Sequence, residues 1–397
     1  MTVEPRDLRW VVDDVIPHTP ALSALMGDVR VMPGRAITQD AISDVDILLV
    51  RSITPVNAAL LSGSRVQFVG TATAGIDHFD VAAITELGLT WAAAPGSNAV
   101  SVVEYVLTAL AETEWLKAVL SGSPVGLVGL GQVGGRLAAR LIRLGATVVA
   151  YDPNIEAWPA GVIKADLNTV LQQPVISLHA SLHDSQPFAS REMIGAEQAR
   201  ALVSAQASRQ GGGLFINAGR GDLMSQEALK VMLESPWTVV LDTWPGEPVL
   251  AGDTLAEVNW VSPHIAGHSA QARERGSDML AASISRWSTG QAAAALQPAA
   301  ATASPPLNEL ENRTSAEAAD WLMHFLLDHS VLPREDARVR AHGVAGLSAA
   351  DFDALRSRYA QPNEWTGSRI KLEERDPEIV DVATRLGVLV SGEEEER

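Results

Sequence analysis

Short apolar runs alternate with polar, turn-forming stretches through the first hundred residues. Leu8–Val12, Val29–Met32, Ile47–Val50, Phe68–Thr71 and Thr90–Ala93 are rich in branched side chains, and Pro-, Gly- and Asp-containing segments separate them, which predicts buried strands. Strands alternating with helical segments predict a parallel sheet covered by helices on both faces. A helix is expected to open at Ser101. Ser101 and Glu104 have the spacing of a capping box, and Val102, Val103, Val106, Leu107 and Leu110 supply an apolar stripe. A second series of strands follows at Val125–Val128, Thr147–Tyr151, Val175–Leu178, Gly213–Asn217, Val239–Asp242 and Trp260–Ser262. Six strands separated by helical segments meet the requirement of a doubly wound nucleotide-binding sheet. Ser269–Ser288 then predicts a long helix returning the chain toward the first domain.

The pattern changes after that helix. Gln291–Pro306 is Ala-rich, ends in two prolines and has no periodicity, so it is expected to be a linker. Beyond it, Glu317–Asp328 and Ala349–Tyr359 have helical spacing, and Ile370–Leu372 and Val388–Val390 are short strand candidates. The like-charge run Glu393–Glu396 predicts a solvated tail. The expected organisation is residues 1–100 with 268–290 as one domain, 101–267 as a nucleotide-binding domain, 291–306 as linker and 307–397 as a small third domain.

Composition narrows the class. Hydrophobic residues make up 47% of the chain, enough for packed interiors, yet no apolar run approaches the ~20 residues that span a bilayer. Asp7, Asp13 and Asp14 interrupt the N-terminus where a secretory signal would need an apolar core, so a cytoplasmic protein is expected. The absence of cysteine excludes disulfides, thiolate catalysis and Cys-ligated metal. No H-E-x-x-H or similar spacing occurs, so no metal is expected. A net charge of −18 argues against nucleic acid or an anionic membrane as partner, since both demand a basic surface. An acidic chain that handles an anion must concentrate its arginines locally.

The most specific local signal is Gly129-Leu130-Gly131-Gln132-Val133-Gly134, a G-x-G-x-x-G run between a predicted strand and a predicted helix. Gly129 permits a tight turn, Gly131 lets the backbone approach a pyrophosphate, and Gly134 lets the helix pack closely. Eighteen residues past Gly134, Asp152 ends the next strand, where a carboxylate accepts hydrogen bonds from ribose hydroxyls and repels a 2′-phosphate. NAD is therefore expected rather than NADP, in a Rossmann-like domain.

Three further segments follow predicted strands: Asn217–Gly221, Leu241–Pro248 and Ser262–Gly267. Ligands of open α/β sheets bind outside the carboxyl ends of strands, so these loops can converge. Each of their chemical residues has an ordinary alternative. His264 alone is more often a strand-end surface histidine, Glu247 alone an acid in a Pro/Gly turn, and Arg220 alone a surface arginine. Together with the cofactor motif they form the set that oxidation of a 2-hydroxy acid needs. A histidine, with a reference pKa of about 6.5, takes the hydroxyl proton. A carboxylate fixes its tautomer, and an arginine grips the substrate carboxylate. Asp242, at the strand terminus itself, is expected to accept a hydrogen bond from the nicotinamide carboxamide. His179 and His183 are also candidates, but Ser177-Leu178-His179 is expected to be a strand end beside the cofactor and not a base.

These segments, with Val50–Asn57, Phe68–His78, Ala94–Asn98 and Val102–Val106, resemble the D-isomer-specific 2-hydroxyacid dehydrogenases. The resemblance implies two doubly wound parallel-sheet domains with a small C-terminal α+β dimerisation domain, hence a homodimer. It implies Arg220, Glu247 and His264 as catalytic residues, and Ser52 and Thr73 in contact with a small phosphorylated 2-hydroxy acid. NAD would be held by Gln132, Val133, Asp152, Ala218, Gly219, Arg220, Asp242 and Gly267. His268 stands where the family usually has a substrate-contacting tyrosine, and Ala180 replaces a threonine near the cofactor. The substrate is expected in a cleft between the first two domains, closed by a hinge. From charge alone, Arg51 is a candidate phosphate ligand, and Arg338 or Arg340 could reach a site from the third domain. The alternatives are a dehydrogenase for another D-2-hydroxy acid such as 3-phosphoglycerate, or an NAD-binding regulator without catalysis.

Overall fold

The computed structural model describes residues 4–207, 212–290, 309–310, 317–372 and 376–391. The predicted linker Gln291–Pro306 and the acidic run Glu393–Glu396 lie outside the described residues. The chain divides into two compact units, Met1–Asn98 with His268–Pro305, and Ala99–Gly267 with Pro306–Arg397. Among the described residues no helix is long and apolar enough to cross a membrane.

The first unit is built on five parallel strands, β1 (Arg9–Asp13), β2 (Asp28–Met32), β3 (Ile47–Val50), β4 (Phe68–Thr71) and β5 (Thr90–Ala92), in the order β2-β1-β3-β4-β5. Every residue of β3 and β4 is buried, which is why residues 47–50 and 68–70 are continuous apolar runs rather than alternating ones. The helix Ala270–Ser288 starts on Ser269, whose Oγ accepts the Ala272 N–H at 3.0 Å. Its Leu280 and Ile284 share a buried cluster with Trp10, Leu49 and Phe68.

The second unit carries seven parallel strands, β6 (Val125–Val128), β7 (Val148–Tyr151), β8 (Ile163–Lys164), β9 (Val175–Leu178), β10 (Leu214–Asn217), β11 (Thr238–Leu241) and β12 (Trp260–Val261). Their order is β12-β11-β10-β9-β6-β7-β8. The chain runs outward from β6 to β8, crosses back to β9, and runs outward again to β12, so the switch point lies between β6 and β9. β8 has no counterpart among the predicted strands. Its two residues are exposed on the edge and show no apolar pattern.

Residues after the predicted linker form the helices Ala318–Asp328, Leu332–Arg340, Ala349–Ser357 and Pro377–Leu386, with a small parallel sheet of β13 (Glu309–Leu310), β14 (Arg369–Ile370) and β15 (Leu389–Val390). The helix Leu332–Arg340 is charged along most of its length, so apolar periodicity does not mark it. The composition change suggests a separate third body, but this segment packs as part of the second unit. Trp321, Phe325 and Leu326 lie in one buried cluster with Leu107, Leu110 and Leu137. The helix Ala99–Glu112 makes this possible because it is buried nearly all round.

That helix also corrects the predicted capping box. It begins at Ala99, two residues early, and the two capping side chains have distant partners. Ser101 Oγ donates to the Ala266 carbonyl at 2.7 Å, while the Glu104 carboxylate accepts the N–H groups of Trp365 (3.2 Å) and Thr366 (2.6 Å). Both side chains bond to distant segments instead of to the start of their own helix, so the residues are right and the role is not. Burial, and then the nearby Glu364 carboxylate, push the Glu104 pKa up to about 8.

Because the folded-state pKa of Glu104 lies above its unfolded value of 4.5, the group stabilises the fold at low pH and loses that contribution as pH rises toward about 8. Glu104→Gln, which keeps one acceptor and cannot ionise, is expected to flatten the fall in stability between pH 5 and pH 8. Urea denaturation of both proteins at the two pH values measures the difference in slope.

Candidate active site

The carboxyl ends of six strands lie on one line across the second unit. The register pairs Tyr151 with Val128, Val128 with Leu178, Leu178 with Asn217, Asn217 with Leu241, and Leu241 with Val261. The Gly129 loop, Asp152, His179, Arg220, Glu247 and His264 all lie beyond that line.

At the switch point each glycine of the motif has a distinct reason. Gly129 has φ +91°, and a Cβ there would stand 2.5 Å from the Ala180 amide nitrogen, so the loop after β6 lies directly on the loop after β9. Gly134 has no room for a Cβ because the carbonyl of Gly129 occupies it, so this glycine packs against its own loop. Beside the Cβ position of Gly131 there is open space. Gly131 is also the N-cap of the helix Gln132–Arg143, whose first N–H groups face outward from that point. Asp152 ties this loop to β7: Oδ2 accepts the Leu130 N–H at 2.8 Å and Oδ1 accepts the Asn154 N–H at 2.9 Å. His179 sits beside them with Nε2 2.9 Å from Ser177 Oγ, and burial lowers its pKa to about 4. A ring that holds a proton so weakly is a poor general base near pH 7, which suits a residue beside a cofactor better.

Arg220 follows β10 on a loop shaped by buried Asn217. Asn217 Nδ2 donates to the Arg220 carbonyl at 3.0 Å, and its Oδ1 accepts the Gly219 N–H at 3.2 Å and the Thr243 hydroxyl at 3.1 Å. Gly221 presses against the backbone of Trp244 with no room for a Cβ, which sets the Arg220 loop on the loop that carries Glu247. His264 Nδ1 lies 2.6 Å from Glu247 Oε1, both side chains partly open to solvent. The carboxylate accepts, so Nδ1 carries the proton and Nε2 is the nitrogen left to act on a ligand. His264 has φ +54°, a left-handed conformation that a side-chain-bearing residue adopts at a cost of roughly 1–3 kcal/mol.

The Asp242 carboxylate holds that conformation. Oδ1 accepts Ser262 Oγ–H at 2.6 Å and the Ile265 N–H at 2.8 Å, Oδ2 accepts the Ala266 N–H at 2.9 Å, and the Asp242 carbonyl accepts the His264 N–H at 2.8 Å. The sequence predicts only a cofactor contact for Asp242. A carboxylate offers about four acceptor sites, so one remains beyond this structural work. Tyr105 Oη, 2.8 Å from Ser262 Oγ, extends the network into the helix Ala99–Glu112. Asn217, Ser262 and Tyr105 were not among the predicted site residues. Only Asn217 left a signal, as an asparagine at a strand end before Ala-Gly.

The predicted residues Arg51, Ser52, Thr73 and His268 lie in the first unit. Arg51 Nε bonds buried Asp13 Oδ1 at 2.7 Å. Ser52 is exposed in the turn after β3. Thr73 Oγ1 donates to the Gly75 carbonyl at 2.9 Å and lies 2.7 Å from Thr71 Oγ1, while His268 is partly buried. Arg338 and Arg340 do not bear out the expectation of a ligand role. Arg338 binds Glu335 at 2.7 Å and the Leu355 carbonyl at 3.2 Å, and Arg340 is engaged by Asp336 and three backbone carbonyls.

A family profile described as D-isomer specific 2-hydroxyacid dehydrogenase, catalytic domain, matches residues 16–296. The chain belongs to the D-isomer specific 2-hydroxyacid dehydrogenase family. It is 35% identical over 392 residues to a protein of Serratia proteamaculans named erythronate-4-phosphate dehydrogenase, covering 97% of this chain and 100% of that one. A protein of the same name from Pseudomonas syringae pv. tomato is 36% identical over 390 residues, covering 96% and 100%. Among solved structures, D-lactate dehydrogenase from Aquifex aeolicus, complexed with NAD and lactic acid, has a TM-score of 0.58 at 18% identity, over 71% of this chain and 96% of that one. A glyoxylate reductase from Paecilomyes thermophila gives 0.57 at 20%, over 71% and 95%. These two share the fold, two doubly wound parallel sheets.

The glycine geometry separates fold from binding. Gly134→Ala is expected to lower stability by about 1–3 kcal/mol, because the added methyl has nowhere to go. Gly131→Ala, whose methyl faces open space, is expected to cost less, under about 1 kcal/mol, from the loss of a glycine at an N-cap. Equilibrium denaturation of the two variants measures both.

Proposed function

We propose that this chain is an NAD-dependent oxidoreductase that converts 4-phospho-D-erythronate to 2-oxo-3-hydroxy-4-phosphobutanoate, a step of pyridoxal phosphate (vitamin B6) biosynthesis. The reaction type rests on the His264–Glu247 hydrogen bond of 2.6 Å at the carboxyl edge of a nucleotide-binding sheet. The substrate follows from full-length likeness to relatives that carry the name erythronate-4-phosphate dehydrogenase.

The residues present fit NAD. Open space at Gly131, a helix N-terminus beside it and the carboxylate of Asp152 suit a pyrophosphate and an adenine ribose. Gln132, Val133, Ala218, Gly219, Asp242 and Gly267 would complete the set. Six strand ends at about 4.8 Å spacing stretch over roughly 24 Å, so Asp152 and His264 stand at opposite ends of a site long enough for an extended dinucleotide. When bound, NAD would supply the acceptor for the hydride that leaves C2 of the hydroxy acid. The chain's own part is to bind and to move a proton. Arg220 pairs with the substrate carboxylate. His264 Nε2 takes the C2 hydroxyl proton, and Glu247 stabilises the imidazolium that results. Ser52, Thr73 and His268 contact the substrate, and Arg51 receives its phosphate. The protein acts in the cytoplasm as a homodimer joined through residues 307–397.

NADH formation by absorbance, comparing 4-phospho-D-erythronate with D-3-phosphoglycerate and D-lactate, tests this reading. Preference for the first, with His264→Ala lowering kcat at least ~10²-fold, is the expected result. Preference for another acid would keep the mechanism and discard the substrate. Turnover unaffected by His264→Ala would discard the assigned base. Arg51→Gln is expected to raise KM for the phosphorylated acid by about 10- to 100-fold, as loss of a charge-assisted hydrogen bond would.

A further inference from the structure

β12 is the edge strand of the seven-stranded sheet, only two residues long and paired on one side with β11. An edge strand presents N–H and C=O groups with no strand partner. Here the helix Leu332–Arg340 supplies partners. Buried Asp336 accepts the Val261 N–H through Oδ1 at 2.9 Å, and Arg340 Nε at 2.7 Å through Oδ2. The same guanidinium donates to the carbonyls of Leu255 (2.9 Å), Val258 (2.7 Å) and Asn259 (3.1 Å), the end of the helix Gly252–Glu257 and the turn into β12. One aspartate and one arginine thus grip the chain on both sides of Trp260.

Three residues after Val261 comes His264. The segment between is short and stiff: Ser262 is fixed by Asp242 and Tyr105, Pro263 has a locked φ, and His264 is left-handed. Little slack is available, so displacement of Val261 moves the imidazole relative to Glu247. We propose that the Asp336–Arg340 clamp is a positioning element for His264, which makes the C-terminal segment part of the catalytic scaffold. The proposal rests on His264 being the proton-transferring group.

The test uses the full-length chain. Asp336→Ala is expected to lower kcat by about 10- to 100-fold, the cost of a misplacement of order 1 Å, with KM for NAD and hydroxy acid nearly unchanged. Asp336→Asn keeps an acceptor for Val261 and should recover most of that loss. Glu335→Gln is the control: Glu335 lies on the same helix and pairs with Arg334 and Arg338, neither of them on β12. Its kcat should match the parent even where its stability falls. If Asp336→Ala does not fold, Arg340→Gln, which removes the carbonyl contacts, is read in its place and should show the same kcat loss. Parental kcat in the variant that is read, or equal losses in it and in Glu335→Gln, would overturn the clamp. His264→Ala is measured alongside. If it retains turnover, the assigned base has failed; if it is inactive while the clamp variant is unaffected, only the positioning role has.

Discussion

Asp242 carries three donors on a carboxylate almost wholly removed from solvent, and a fourth on its own carbonyl. Burial raises its pKa while its donors and the nearby His264 oppose the shift. A buried carboxylate left short of donors costs several kcal/mol, so the loop 262–267 is bound to a conformation that supplies them. That constraint places the Ile265 and Ala266 amides, forces His264 into left-handed backbone, and aims its Nδ1 at Glu247. The strain at His264 persists because its surroundings over-determine it, as expected where a side chain must be preorganised.

The sheet makes such a constraint effective. In a parallel sheet with strand ends in register, every loop leaving the carboxyl edge starts from the same line, so a change of one residue type there changes the site and not the fold. The strand interiors are apolar and interchangeable in character, whereas the residues just beyond them are Gly129, Asp152, His179, Ala218, Asp242 and Ser262. Packing and chemistry are thereby separated along each strand, the first in its body and the second at its end.

This separation explains what could be read from the sequence. Fully buried strands such as β3, β6 and β9 are short branched runs bounded by turn residues, and their limits were legible to the residue. The Gly-rich loop and the Arg220, Glu247 and His264 segments were legible because the chemistry needs particular residue types at strand ends. β8 was not, because two exposed residues carry no apolar period. Ser101 and Glu104 misled because capping spacing records only that polar side chains stand near a helix start, and not whether their partners are three residues away or, as here, 165 and 261. Asp242 was assigned a ligand contact from its place at a strand end, although its donors come from a loop twenty residues on. Long-range polar pairing leaves no periodic trace, and in this chain most of the site's support is of that kind.

The same reasoning accounts for the C-terminal segment's share in the second unit. An appended body could attach through apolar contact alone, and Trp321, Phe325 and Leu326 supply that. Yet Glu104 reaches Trp365 and Thr366, Arg140 lies 5.9 Å from the Trp365 ring, and Asp336 reaches Val261, each a polar or charged group taken out of water to make the joint. Such pairs add little stability compared with apolar side chains of similar volume, because desolvation offsets most of their attraction. What they do provide is direction: each is satisfied in one arrangement and costly in any other. The helix Gln132–Arg143 carries the Gly-rich loop at one end and Arg140 near the other, and β12 leads into the His264 loop. Both ends of the proposed site are therefore indexed to the same C-terminal segment, and a chain cut short before it would lose register at the edge strand as well as apolar cover.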